Sequence, residues 1–206
     1  MKRFVGMLSL AALPLAAQSW EVGAFVGQQS YKSFSYQDVT IGHTEVKPDS
    51  KTVGALRLGY SLVDVGPALF QINAAYQPKA SADIKFNAMG ITLGGITKLD
   101  HSASSVGLAF IFKAGVSASV GVDYRWDKLE GTFQNLSSST TYGRPWARAN
   151  IGFAFPTPLM KPFLGLEVAA PLASTSVGNA GPANDEEALK GMAPKLQIGV
   201  YGGIRF

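Results

Sequence analysis

Apolar and polar residues alternate with a period of two along eight stretches of the chain, at about 20–29, 52–63, 68–77, 102–113, 115–127, 142–155, 162–170 and 195–206. A strand sends successive side chains to opposite faces, so each stretch predicts a two-faced strand. In the fifth, Val116, Ala118, Val120, Val122, Tyr124 and Trp126 share a face opposite Ser117, Ser119, Gly121, Asp123, Arg125 and Asp127. The sixth sets Ala147, Ala149, Ile151, Phe153 and Phe155 against Arg144, Trp146, Arg148, Asn150 and Gly152. In the last, Leu196, Ile198, Val200, Gly202, Ile204 and Phe206 oppose Gln197, Gly199, Tyr201, Gly203 and Arg205. The fourth is the weakest, because Ala109 and Ile111 make its second face apolar too.

Charge falls on one face only. Glu21, Arg57, Asp123, Arg125, Asp127, Arg144, Arg148, Glu167, Lys195 and Arg205 all lie on the less apolar face. A soluble barrel shows the reverse, with apolar side chains inside. An Arg facing lipid at the bilayer midplane costs roughly 2–4 kcal/mol, so the uncharged face predicts contact with lipid. A slip of one residue would bring charge into lipid, and the pattern therefore fixes register. Trp20, Phe70, Phe112, Phe155 and Phe206 fall at one set of outward strand ends, and Tyr76, Tyr124 and Trp126 at the other. Two aromatic girdles at the membrane interfaces account for that placement.

The spacers alternate in length. Ser30–Lys51, Pro78–His101, Lys128–Thr141 and Pro171–Pro194 are long, whereas Asp64–Pro67, the region of Ala114, and Pro156–Lys161 are short. Short periplasmic turns and long external loops give an eight-stranded antiparallel up-and-down barrel with its termini on the periplasmic side. The second long spacer adds an alternative. Ile84, Phe86 and Ala88 alternate, as do Met89, Ile91 and Leu93. They extend a hairpin above the membrane, or else form another spanning pair and make ten strands.

The amino terminus supplies the route. Met1-Lys2-Arg3 precedes an apolar run from Phe4 to Ala17, which predicts a secretory signal peptide over residues 1–19 and a barrel domain over 20–206. Cleavage after Ala17 is a close second to cleavage before Trp20. Fourteen apolar residues fall short of the ~20 that a spanning helix needs. Cysteine is absent, which excludes disulfides and zinc–thiolate sites. Net charge is +4, and +2 without Lys2 and Arg3, so nothing points to nucleic acid.

With signal peptide, loop alternation, two-faced strands and terminal Phe206 in place, the sequence resembles small bacterial outer-membrane β-barrel proteins of the OmpA/OmpX type. The resemblance implies a monomer in outer-membrane lipid and lipopolysaccharide. It also implies that Phe206 is the signal read by the barrel-assembly machinery. It is specific for architecture and nearly silent on activity. A structural or surface-interaction role through the external loops is expected, with a minor small-solute channel as the first alternative.

Candidate chemistry lies mainly in the interior. Glu21, Arg57, Asp123, Arg125, Arg144, Arg148, Glu167 and Arg205 form a candidate lumen charge network. Its ordinary reading is a satisfied ion-pair core, and its sharper one a gated conduit. His101-Ser102-Ala103-Ser104-Ser105 suggests a Ser–His hydrolase, the basis of a second alternative, a lipid-A-modifying enzyme. The resemblance extends to such enzymes only in part, since Ala103 stands where their deacylase pattern requires Ser. His43 has no metal-spaced partner, and no cofactor or metal site is indicated. External lysines (Lys32, Lys47, Lys79, Lys85, Lys98, Lys128) are candidates for lipopolysaccharide phosphates, and Gly178–Glu187 reads as a flexible loop.

Overall fold

A computed structural model describes residues 20–38, 42–88, 91–114, 116–133, 136–155, 160–175, 177 and 181–206. The signal-peptide segment lies outside these described residues. Among the described residues are ten strands and one helix: β1 (Trp20–Tyr31), β2 (Phe34–Asp38), β3 (Gly42–Pro48), β4 (Lys51–Val65), β5 (Ala68–Ala88), β6 (Ile91–Ala114), β7 (Val116–Phe133), β8 (Leu136–Ala154), β9 (Lys161–Pro171), α1 (Asp185–Gly191) and β10 (Pro194–Arg205).

Eight of the strands close on themselves in the order β4-β1-β10-β9-β8-β7-β6-β5 and back to β4, all antiparallel. Closure runs through β1 and β10 in register, Glu21 opposite Arg205 and Gln29 opposite Gln197. Backbone bonds between Trp20 and Phe206 complete the seam. No edge is left in the wall, the condition for a sheet to cross lipid. The eight-stranded expectation holds, and so does the extended hairpin. The one pair beyond eight comes instead from the first long spacer, where β2 and β3 form a hairpin that pairs onto the outer half of β5.

The strands differ greatly in height. β1, β9 and β10 have 12, 11 and 12 residues, close to the ~9–11 of a single crossing. β5 and β6 have 21 and 24, so their upper halves stand clear of the bilayer. The second and third long spacers are thus mostly continued strand, because apolar and polar residues go on alternating through most of their length. Inward Ile84, Leu99 and Leu129 are fully buried where loops were expected.

Outward apolar side chains are exposed all round the wall, among them Val22, Leu58, Ile72, Leu108, Val120, Ile151, Leu166 and Val200. In water this would be an aggregating surface; in lipid it is the solvated one. The girdle residues Trp20, Phe70, Phe112, Phe155, Phe206, Tyr76, Tyr124 and Trp126 are exposed as expected.

One inward assignment is corrected. Lys195 is exposed and does not join the lumen. The ladder shifts between Ser30 and Tyr31, Tyr31 pairing with Pro194 and Ser30 with Leu196, which leaves Lys195 as the extra residue of a bulge. A second shift lies between Gln77 and Ala80 of β5, at Pro78–Lys79, and leaves Lys79 exposed as well. Strict alternation carries both lysines inward, and the bulges turn both out.

Candidate functional site

The inward faces stack into layers along the barrel axis. At the periplasmic end Leu69, Ala109 and Ile111 form a small apolar floor, which gives the weakly patterned fourth stretch its role. Above it, Glu21 accepts from Arg205, Tyr201 and Gln71, the last at 3.2 Å. At this end Gly66 supplies the positive φ (58°) for the short β4–β5 turn.

The next layer is a four-membered ion cluster. Arg57 donates both terminal nitrogens to Glu167, at 2.7 and 2.9 Å. Arg148 pairs with Asp123 at 3.0 Å and reaches Glu167 at 3.8 Å. The Tyr201 ring lies 4.4 Å beneath the Arg57 guanidinium. Neutral gaps in the wall make room for these side chains; a Cβ on Gly59 or Gly107 would strike Gln71 or Asp123.

The third layer carries the most connections. Asp127, fully buried, forms an ion pair with Arg125 across 2.8 Å and accepts from Arg144 Nε at 3.3 Å and His101 Nε2 at 2.9 Å. Arg125 donates to Gln197 Oε1 (2.9 Å) and to Gln29 Oε1 and Gln77 Oε1 (3.1 Å each). Gln29 and Gln77 turn their amide nitrogens to His101 Nδ1, at 2.7 and 3.0 Å. The Trp146 ring packs 4.5 Å from Arg125 and 5.1 Å from Arg144. Between the second and third layers, Arg57, Asp123, Arg125, Trp146 and Glu167 surround a cavity of about 40 Å³, room for a few water molecules.

A folded cap closes the outer end. Tyr31, Val46, Ala82, Ile84, Leu99, Leu129, Leu189 and Met192 form a buried cluster, flanked by Phe34, Tyr36, Phe86 and Tyr142. Its members come from β1, the β2–β3 hairpin, the raised ends of β5–β8, and the fourth long spacer. That spacer was expected to be flexible up to Glu187, yet Asp185 begins a helix. Asn184 accepts from the Glu187 backbone N–H at 2.9 Å, while Glu187 accepts from the Ala183 N–H at 2.8 Å. The capping asparagine and the acid three residues on were legible in Asn184-Asp185-Glu186-Glu187 before Ala188-Leu189, although Glu187 bonds the N–H one residue ahead of the cap and not the cap's own. Gly131 lets Leu189 close onto β7, since a Cβ there would stand 2.9 Å from the leucine. Lys32 Nζ donates to Thr175 O at 2.5 Å, and Arg144 donates to Pro194 O, tying the spacer to the barrel.

All the expected lumen residues (Glu21, Arg57, Asp123, Arg125, Arg144, Arg148, Glu167, Arg205) thus sit inside the wall, but in separate layers and not one network. His101 is misread by the sequence pattern alone: it lies deep in the lumen, not at an external rim. Ser104 is exposed on the opposite face of β6. Ser105, which faces inward, is about 13 Å farther along the strand at ~3.3 Å per residue. No serine among the described residues contacts the imidazole as a nucleophile would.

Several external lysines are already paired. Lys79 bonds Glu130 and lies 3.1 Å from Asp100, Lys128 lies 2.7 Å from Glu130, and Lys85 lies 2.9 Å from Asp49. Lys128 and Lys79 hold the Glu130 carboxyl below its usual range. His43 is exposed on β3 opposite Gln37.

Against solved structures, the chain is similar to the outer membrane protein OprG from Pseudomonas aeruginosa, with a TM-score of 0.57 over 92% of this chain and 96% of that one. The fold is that of a small outer-membrane β-barrel. A major outer membrane protein from Thermus thermophilus is similar to the same degree, with a TM-score of 0.54 over 92% of this chain and 99% of that one. Identities of 11 and 14% make this a likeness of architecture. No family model matches the sequence, and no curated relative matches it.

Proposed function

We propose that this outer-membrane barrel is an anchor closed to solutes at neutral pH, which holds a folded external cap at the cell surface and acts by contact. One observation carries the reading: the lumen is filled layer by layer and roofed by an apolar core, whereas a transport path needs a continuous wet passage. Eight strands enclose a space that side chains can fill, and here charged pairs fill it. The cap supports a surface role because its strands and helix fix the shape of what would otherwise be loops. Export by the signal peptide, assembly through Phe206, and a monomer in lipid and lipopolysaccharide belong to the same proposal. Paired lysines favour contact with lipopolysaccharide less than a bare basic rim would.

Two phenotypes test it in a strain lacking the gene. One is sensitivity to detergents, which reads envelope integrity; the other is attachment to matrix-coated and abiotic surfaces. Complementation with the whole barrel should restore at least one. A variant with residues 33–49 replaced by a short Gly-Ser linker should still reach the outer membrane, restoring integrity but not attachment. A null strain indistinguishable from its parent in both assays would overturn the proposal.

A further inference from the structure

The third layer is built so that one proton would disorder it. Arg125 has donors only, so the Gln29 and Gln77 side chains must turn their oxygens toward it. Their amide nitrogens then necessarily face His101 Nδ1. With two N–H donors aimed at it, Nδ1 must be an acceptor, and the imidazole proton sits on Nε2, donated to Asp127. A guanidinium on β7 therefore sets the tautomer of a histidine on β6 through residues on β1 and β5.

We propose that this layer is an acid-opened gate, in which protonation of His101 at Nδ1 releases the cap and makes the lumen conductive. A proton on Nδ1 would point at two amide NH2 groups. For either glutamine to present its oxygen, the amide must turn over, which removes an acceptor from both Arg125 and Gln197 Nε2. The charge balance moves the same way. The groups facing His101 are Asp127 and Arg125 from β7, Arg144 from β8, and the uncharged Tyr31 (ring centroids 6.0 Å apart), Gln29 and Gln77 from β1 and β5. One carboxylate already serves two guanidiniums there, and a third cation competes for it. Arg144 is the arm that transmits the change, since it joins Asp127 to Pro194 O at the foot of the α1 spacer. Freed from Asp127, Arg144 would no longer hold the Pro194 carbonyl in place, two residues beyond the buried Met192 of the cap.

The test is planar-bilayer recording of the purified, folded barrel from pH 7.5 down to pH 4, beside His101→Gln. Glutamine can donate to Asp127 and accept from Gln29 and Gln77 but cannot titrate. Wild-type protein should be silent at pH 7.5, with open probability rising by up to about tenfold per pH unit, the limit for one proton. His101→Gln should stay silent throughout. No opening of the wild type down to pH 4, or equal opening of both proteins, overturns the gate. Should His101→Gln fail to fold, nitrogen-15 NMR of the wild type decides. With only His43 and His101 present, His101 is expected as the Nε2–H tautomer at pH 7.5, titrating with the conductance. An Nδ1–H tautomer, or a midpoint that does not track opening, overturns it. Conductance already present at pH 7.5 would instead contradict the closed anchor proposed above, so the two failures are distinguishable.

Discussion

At the scale of single residues, the barrel is held by charges that lipid would reject and that the wall buries inside. Arg57 and Glu167 show the balance. Both are desolvated, and their bidentate bond offsets that only while both are present. Arg57→Ala should therefore destabilise the folded barrel by about 3–5 kcal/mol, whereas Arg57→Met with Glu167→Leu should cost clearly less than the single change. Urea titration in detergent, read by the shift between folded and unfolded bands on unboiled gels, measures both. A double variant no better than Arg57→Ala would show that the pair contributes more than charge compensation. The charged residues were legible from alternation, because each lies on the face opposite an uninterrupted apolar set. Their partners were not. Nothing in the spacing of His101, Gln29 and Gln77 announces that β1, β5 and β6 bring them together; that follows from the stagger of strands in a closed barrel.

At the scale of elements, the places where alternation misleads are bulges and caps. A single unpaired residue reverses which face follows, so Lys195 reads as inward until the ladder against β1 is seen to shift. Pro78 beside Lys79 was a visible sign, since proline within a sheet belongs at an edge or bulge. β2, β3 and α1 were missed for another reason: they do not touch lipid, and their apolar residues mix with polar ones around a small shared core. That core should act as one unit. Leu189→Ala removes a buried side chain between α1 and β7 and should cost the cap about 2–5 kcal/mol. Limited proteolysis should then cut near residues 172–193 much faster than in the parent, while the membrane-embedded strands stay protected. Unchanged cleavage would mean that the cap does not fold as a unit.

At the scale of the whole molecule, the architecture was legible because lipid imposes one rule on every strand. The lipid-facing stretches of the strands carry no charge, turns alternate short and long, and the sheet must close. The interior imposes no such rule, and whether it is open or filled depends on side chains from strands far apart in sequence. Here they meet in an apolar floor, three polar layers and an apolar roof. The central claim is that this stack closes the lumen at neutral pH. Conductance of the purified barrel in a planar bilayer at pH 7.5 tests it most directly. The account predicts a silent membrane with verified insertion, and discrete, reproducible single-channel steps under those conditions would contradict it.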